Sequence, residues 1–122
     1  MKPTPSHSSI SGIGIDLVDI ARIRAILHKD TAKFMTNTFS QKETEYCTSF
    51  TDPAPHFAGT FAAKEAYRKA SGIFDRVFSD IEIRRDNSGR PEIWIGNVHD
   101  TSTHISISHT DRDATAIAIK SV

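Results

Sequence analysis

The chain has 122 residues, which fits one domain with a modest core. Its 15 basic and 15 acidic residues balance, and this argues against general binding of nucleic acid or of a membrane surface. Cys47 is the single cysteine, which excludes an intrachain disulfide and allows a reducing compartment. Residues 1–9 are polar, and no stretch is apolar enough to span a membrane. We therefore expect a flexible polar N-terminus over 1–9, one domain over 10–122, and a cytoplasmic location.

The predicted elements run from one strand through helices to a series of strands. Alternation of apolar with small or polar residues marks the strands, and helical spacing with a stop at Gly72 marks the helices. Asp19 is the expected N-cap of the first helix, and Ser40 with Glu43 has the spacing of a capping box. In chain order we predict a strand over 12–17, helices over about 20–28, 33–47 and 56–71, and strands over 80–84, 91–95, 104–108 and 115–120. This order predicts an α+β fold with an antiparallel sheet packed against the long last helix.

Two acidic residues stand where the patterns favour other side chains. Asp16 continues the strand face of Gly12 and Gly14, whose lack of side chains leaves space for a ligand or another backbone. Glu65 belongs to an apolar helical stripe, where an ionised carboxylate needs a partner. The other members of this stripe are Ala58, Phe61, Ala62 and Lys69.

Each acid also has a plain structural explanation. Asp16 can end the strand and cap the next helix, and Glu65 can pair with Lys69 at i,i+4 or lie exposed at a rim. Together the two carboxylates indicate a Mg²⁺ site, with water and phosphate oxygens completing the coordination. No Cys/His cluster in the sequence has the ligand spacing of a zinc site.

Two further groups carry functional signals. His109 ends a predicted strand that has Ser106 and Ser108 on one face. Such a histidine can contact a phosphate or move a proton near neutral pH, or it can be a surface turn residue. Arg22 and Arg24 give the first helix a basic side, which is either a solvated face or a docking site for an acidic partner.

Five segments form an ordered set of motifs over about residues 10–120. They are Gly12-Ile13-Gly14-Ile15-Asp16-Leu17-Val18-Asp19-Ile20, Phe39-Ser40 through Cys47, Phe61-Ala62-Ala63-Lys64-Glu65-Ala66 with Lys69-Ala70, Asp80-Ile81-Glu82-Ile83 with Asn87-Ser88-Gly89-Arg90-Pro91, and Ile105-Ser106-Ile107-Ser108-His109. This set resembles the holo-[acyl-carrier-protein] synthases, the short single-module type of 4′-phosphopantetheinyl transferase.

The resemblance implies a fold and a reaction. It implies the 4′-phosphopantetheinyl transferase-like fold and an enzyme of fatty-acid biosynthesis and lipid metabolism. Such an enzyme transfers the phosphopantetheine group of coenzyme A to a serine of an apo acyl carrier protein, requires Mg²⁺ and releases 3′,5′-ADP. The family usually forms a trimer with active sites at the subunit interfaces, so one chain alone is not expected to hold a complete site.

The resemblance also assigns roles to residues. Asp16 and Glu65 match the family's Mg²⁺ ligands, and Lys69 matches a contact of the coenzyme A phosphates. Arg22 matches a basic position that meets the acidic carrier, and Arg24 lies beside it. Either Glu65, directly or through a water, or His109 takes the proton of the attacking serine. The nucleotide end corresponds to Gly89, Arg90, Pro91, Ser108 and His109.

Two places depart from the family pattern. Thr60 stands directly before Phe61, where the family is often basic, which implies a lost contact to a coenzyme A phosphate. The segment after Ala70 is shorter than the family's glycine-containing turn and insert, and Arg68 or Arg76 can compensate for the lost charge. The alternatives to a transferase are a non-catalytic module of the same fold that binds coenzyme A or a carrier protein, and a structural oligomerisation domain.

Overall fold

Two antiparallel sheets pack against one long helix in the computed structural model, which describes residues 9–29, 32–75 and 78–122. The elements are β1 (Ile10–Asp19), α1 (Ile20–Leu27), α2 (Ala32–Thr38), α3 (Gln41–Thr48), α4 (Ala54–Ser71), a 3-10 turn (Phe78–Asp80), β2 (Ile81–Arg85), β3 (Pro91–Ile95), β4 (Val98–His99), β5 (Thr103–His109) and β6 (Asp113–Ser121). The strand orders are β1-β6-β5 and β2-β3-β4. The predicted α+β class is confirmed, while the polar segment 1–8 and Arg76 lie outside the described residues.

The predicted helical stretch over 33–47 was wrong in one respect, because it is two helices. Ser40 has extended backbone angles, φ −74° and ψ 167°, so α2 cannot continue through it. The Ser40 hydroxyl accepts a hydrogen bond from the Glu43 backbone N–H, and the Glu43 carboxylate accepts one from the Ser40 N–H. The predicted capping box is confirmed, and it is the feature that divides the stretch.

The other differences concern strand pairing and element ends. The predicted antiparallel sheet is divided into two, because β6 pairs with β1 and β5 while β2, β3 and β4 pair among themselves. The segment between the strands predicted over 91–95 and 104–108 contains the short strand β4, and α4 begins at Ala54 rather than His56. Asp19 caps α1 as predicted, with its carboxylate accepting from the Ala21 N–H at 3.0 Å. Within the described residues, no helix has the length and apolar character that crossing a membrane requires.

The contact between β1 and α4 is a contact of backbones. A Cβ atom added at Gly12 would lie 1.8 Å from the Ala70 carbonyl oxygen, and one added at Gly14 would lie 1.9 Å from that of Ala66. The helix backbone therefore occupies the space that the glycines leave. The neighbouring strand β6 likewise presents small buried residues, namely Ala114, Ala116 and Ala118.

The opposite face of β1 is apolar and is left uncovered by the described residues. Side chains alternate between the two faces of a strand, so the close approach of α4 to the glycines leaves the large residues on the outside. Ile13, Ile15 and Leu17 are 59%, 61% and 69% exposed. Ile13, Ile15 and Leu17 thus do not contribute to the core, whereas Val18, on the glycine face of the same strand, does.

A buried ion pair connects α4 with the elements around it. The Lys64 Nζ lies 2.5 Å from Glu43 Oε1, and both side chains are within 1% of complete burial. Lys64 also donates to the carbonyls of Thr38 and Phe78, while Glu43 Oε2 accepts from the Ile83 N–H at 2.7 Å. Burial raises the pKa of Glu43 and lowers that of Lys64, and the opposite charge of the partner counteracts each shift.

We expect Gly14→Ala to destabilise the fold by about 3 kcal/mol, because the new methyl group must push the α4 backbone away. Urea unfolding measures the change. Gly59→Ala, in α4 where it faces β5, is the control, since its Cβ would meet only the side-chain atom Ile107 Cγ2, at 2.9 Å. Equal stability of Gly14→Ala and the parent chain would contradict the backbone contact.

Lys64→Met should cost about 3–5 kcal/mol of unfolding free energy, because it leaves the buried Glu43 carboxylate without its counter-charge. The double variant Lys64→Met with Glu43→Gln removes both charges and should recover much of the loss. The same urea titrations report the coupling of the two residues. A single variant within about 1 kcal/mol of the parent would show that the pair does not stabilise this core.

Candidate active site

Asp16 and Glu65 line the same cavity, which has a volume of about 500 Å³. Asp16 comes from the glycine face of β1, and Glu65 comes from α4 beside the buried Ala62 and Ala66. The helix stripe predicted from the sequence thus passes from the buried Ala58 and Ala62 to Glu65 at the rim of the core. Asp19, the cap of α1, also lines the cavity, although the sequence suggested for it no more than a structural role.

Each of the two acids has a basic partner from α4. The Lys69 Nζ donates to Asp16 Oδ1 at 3.2 Å and to the Ile15 carbonyl at 2.9 Å. The Arg68 Nη1 donates to Glu65 Oε1 at 3.1 Å. The i,i+4 pair between Glu65 and Lys69 that the sequence allowed was wrong, because Lys69 reaches across to β1 instead. Asp16 does not cap α1 either, since Asp19 does.

Arg68 is held from several sides. Its Nη2 donates to the Phe74 carbonyl at 3.0 Å. The guanidinium carbon lies 4.8 Å from the Phe78 ring centroid and 5.5 Å from that of Phe74. Its Nε is buried without a hydrogen-bond partner. Sequence reasoning considered Arg68 a substitute for the missing charge at Thr60 and missed its contact with Glu65, which is signalled by the i,i+3 spacing.

Thr60 is part of the core rather than of a surface. It is 2% exposed, its hydroxyl donates to the His56 carbonyl at 2.8 Å, and its oxygen lies 3.7 Å from the Cys47 sulfur. Burial raises the pKa of the Cys47 thiol to about 11. A basic side chain at position 60 would need to leave this packing in order to reach a phosphate.

A second, larger space lies between the β2–β3 hairpin and β5. This groove measures about 810 Å³, and Gly89, Arg90 and Pro91 line it together with Ser106. The turn is held by Asp86, whose carboxylate accepts from the Ser88 and Arg90 backbone N–H groups. Hydrogen bonds from the Ser88 hydroxyl and the Arg90 backbone lower the pKa of Asp86. Gly89 has φ +88°, a conformation that favours glycine.

Ser108 and His109 lie further along β5, beyond the residues that line the groove. The His109 ring centroid is 5.6 Å from that of His56, which stacks on Phe50 at 3.5 Å. Burial lowers the pKa of His56, and the charges of His109 and Arg85 lower it further. Sequence reasoning did not find this cluster, because its members come from distant segments that share no motif.

The two arginines predicted to dock a partner have different surroundings. Arg22 is exposed and lines the cavity of Asp16 and Glu65. Arg24 is already bound by Asp52, with its two guanidinium nitrogens 2.7 Å and 3.0 Å from the two carboxylate oxygens. The hydrogen bond from Arg24 lowers the pKa of Asp52.

The acid pair is a two-carboxylate arrangement. Across residues 9–29, 32–75 and 78–122, no group of three or more His, Cys, Asp or Glu side chains is placed to hold a metal ion. A cation at Asp16 and Glu65 would therefore receive its remaining ligands from water and from a substrate. This is the mode in which Mg²⁺ binds to phosphate substrates.

Comparisons with known proteins agree on one family. The model of the 4′-phosphopantetheinyl transferase superfamily matches residues 12–119. The holo-[acyl-carrier-protein] synthase of Syntrophus aciditrophicus is 39% identical over 121 residues, which cover 90% of this chain and 94% of that protein. The protein of the same name from Chlorobaculum parvum is 40% identical over 111 residues, covering 88% and 95%.

Solved structures agree with the sequence relatives. A holo-(acyl-carrier-protein) synthase from Bacillus anthracis, in complex with CoA (3′,5′-ADP), has a TM-score of 0.77 and 34% identity, covering 92% of this chain and 96% of that chain. The Helicobacter pylori holo-[acyl-carrier-protein] synthase, in complex with coenzyme A, has a TM-score of 0.77 and 32% identity, covering 90% and 99%. The chain therefore belongs to the 4′-phosphopantetheinyl transferase superfamily and, within it, to the holo-[acyl-carrier-protein] synthases.

Proposed function

We propose that this chain transfers the 4′-phosphopantetheine group of coenzyme A to a serine of an apo acyl carrier protein, with Mg²⁺, and releases 3′,5′-ADP. The observation that carries the proposal is the pair of carboxylates, Asp16 and Glu65, at one cavity in a member of this family. The related protein from Bacillus anthracis was solved with CoA (3′,5′-ADP), and that from Helicobacter pylori was solved with coenzyme A. We place the reaction in the cytoplasm, where reducing conditions would preserve the free thiol of Cys47.

The residues at the cavity suit a hard cation. Asp16 and Glu65 offer oxygen donors and remain partly exposed, at 16% and 27% of their side chains. In our proposal these two carboxylates hold Mg²⁺. When bound, Mg²⁺ would offset negative charge on the pyrophosphate of coenzyme A, which is the main requirement of phosphoryl transfer.

The remaining steps belong to the side chains. The serine oxygen of the carrier forms a bond to the phosphorus on the pantetheine side, and the bond from that phosphorus to the 3′,5′-ADP oxygen breaks. Lys69 is 47% exposed, so its Nζ can exchange Asp16 for a phosphate oxygen and stabilise the leaving charge. We assign the serine proton to Glu65, because its carboxylate shares the cavity with Asp16.

The nucleotide end is assigned to the groove beside β5. Gly89, Arg90 and Pro91 line it, and Arg90 supplies a positive charge for a phosphate. We assign Ser108 and His109, further along the same strand, to contacts with the same end of the substrate rather than to proton transfer. The packing of His109 against His56 supports a fixed imidazole there.

The active site is proposed to lie between subunits of a homotrimer. The groove and the acid cavity share no lining residue in the described part of the chain, which supports a site that a second subunit completes. The uncovered apolar face of β1, formed by Ile13, Ile15 and Leu17, supports a second copy as its occupant. Arg22, beside the cavity, is proposed to dock the acidic carrier, with Arg24 next to it.

The proposal predicts that the carrier protein gains the mass of one phosphopantetheine group when apo carrier, coenzyme A and Mg²⁺ are mixed with this protein. Removal of Mg²⁺ with a chelator should abolish the gain. Asp16→Asn and Glu65→Gln should each lower the rate by about 10²–10³, because each removes a preorganised charge at the reacting phosphate. Mass spectrometry of the carrier and the released nucleotide measures all three results.

Glu45→Gln is the control for this experiment, since it neutralises an exposed acid of α3 outside both spaces. It should react at the parent rate. Full activity of Asp16→Asn and Glu65→Gln would refute the assigned site. Calorimetric binding of coenzyme A, with no transfer to any of several apo carriers, would instead support the non-catalytic module.

Charged substitutions on the exposed apolar face of β1 test the trimer. Ile13→Lys with Ile15→Lys should produce monomers and abolish transfer, because lysines cannot be buried unpaired in an apolar interface. Val98→Lys is the control, since Val98 is 68% exposed on the other sheet and should leave the assembly intact. Light scattering after size exclusion measures the mass. An active, monomeric parent protein would refute interfacial sites.

A further inference from the structure

The acid pair and its two basic partners form a charge-balanced group. Asp16 is paired with Lys69, and Glu65 is paired with Arg68. We infer that Arg68 is a fixed counter-ion of Glu65 that weakens binding of a divalent cation on its own, so that the cation and a pyrophosphate bind together. This inference rests on the proposed function, since it concerns how the same site takes its ligands.

The contacts of Arg68 explain why we call it fixed. Two of its nitrogens donate to separate acceptors, Glu65 Oε1 and the Phe74 carbonyl. The guanidinium also lies against the rings of Phe74 and Phe78, and its side chain is 20% exposed. To follow Glu65 or to leave it, Arg68 would have to give up the carbonyl and both rings. Its charge therefore stays beside the carboxylate.

Lys69 is more exposed than Arg68 and is held by fewer contacts. Its side chain is 47% exposed, and its partners are one carboxylate oxygen and one backbone carbonyl. An exposed lysine on a flexible stem can move from Asp16 to a phosphate at small cost. Of the two basic partners, Lys69 is thus the one that can be exchanged, and Arg68 is the one that remains.

The net charge of the four side chains and their ligands explains why the cation alone binds weakly. With both pairs formed, the four side chains sum to zero. A divalent cation alone gives the group two positive charges, with Arg68 still at Glu65 Oε1, and a pyrophosphate diester with its two negative charges restores the balance. Like charges a few ångströms apart at a partly exposed site weaken binding. Cation and pyrophosphate should therefore each strengthen the binding of the other.

The test measures binding of Mn²⁺, as a spectroscopic substitute for Mg²⁺, by electron paramagnetic resonance of the intact protein. We expect Arg68→Met to bind Mn²⁺ alone about tenfold more tightly than the parent, because it removes the fixed positive charge. Coenzyme A should then strengthen Mn²⁺ binding less in the variant than in the parent. Circular dichroism of each variant checks that it is folded, and titrations of Mn²⁺ with free coenzyme A correct for their direct association.

Two variants control for charge and for packing. Arg68→Lys keeps the charge but loses the second donor and the ring contacts that fix it, so its affinity for Mn²⁺ should lie between those of the parent and Arg68→Met. Arg84→Met removes an arginine that likewise pairs with a glutamate, Glu82, and stacks on an aromatic ring, Trp94, but outside the cavity. Its affinity for Mn²⁺ should equal that of the parent.

Two results would overturn the inference, and only the second would also exclude the metal site of the proposed function. If Asp16→Asn abolishes Mn²⁺ binding but Arg68→Met binds like the parent, Arg68 has no influence and the metal site of the proposed function stands. If Asp16→Asn, Glu65→Gln and the parent all bind Mn²⁺ equally, the acid pair is not a metal site at all. The carrier mass assay then still decides whether the chain is a transferase.

Discussion

The backbone contact between β1 and α4 determines the geometry of everything around it. A strand whose inward face begins with Gly12 and Gly14 allows the helix to approach until its carbonyls fill the space of the missing side chains. Asp16 continues that same face, so its carboxylate meets Lys69 near the C-terminal end of the helix. The helix turn before it presents Glu65 to the same cavity. The contact that stabilises the fold is therefore also the one that assembles the acids.

Consecutive residues of α4 serve different purposes because a helix turns by 100° per residue. Lys64 is fully buried and paired with Glu43, while the next residue, Glu65, lies at the rim and is paired with Arg68. Losing one partner of a buried pair leaves a charge in the core, so Lys64 and Glu43 have to stay together. At the rim, the more exposed pair of Lys69 with Asp16 is weak and can be exchanged for a ligand. Burial thus separates the structural ion pair from those that suit a binding site.

The same close packing has a consequence on the outside of β1. Because glycines occupy the face of β1 that packs against the helix, the isoleucines of the strand lie on the opposite face and remain exposed. An isolated subunit would keep this apolar face in water, which favours association. Thr60, in contrast, is a polar residue that is buried, and its hydroxyl donates a hydrogen bond to a backbone carbonyl of the same helix. The threonine at this position departs from the family pattern and suggested a weakened phosphate contact, but in this chain it is part of the core.

The sequence by itself determined the features that depend on neighbours along the chain. The capping box of Ser40 and Glu43, the cap at Asp19, the glycine-and-alanine surfaces and the α+β order all follow from local spacing. The ordered motifs also identified the family. Tertiary structure alone decided the ionic partners, because opposite charges pair by distance in space: Lys69 bonds to Asp16, 53 residues earlier, rather than to Glu65 on its own helix. It likewise decided which strand face is buried, since that depends on how closely the helix approaches.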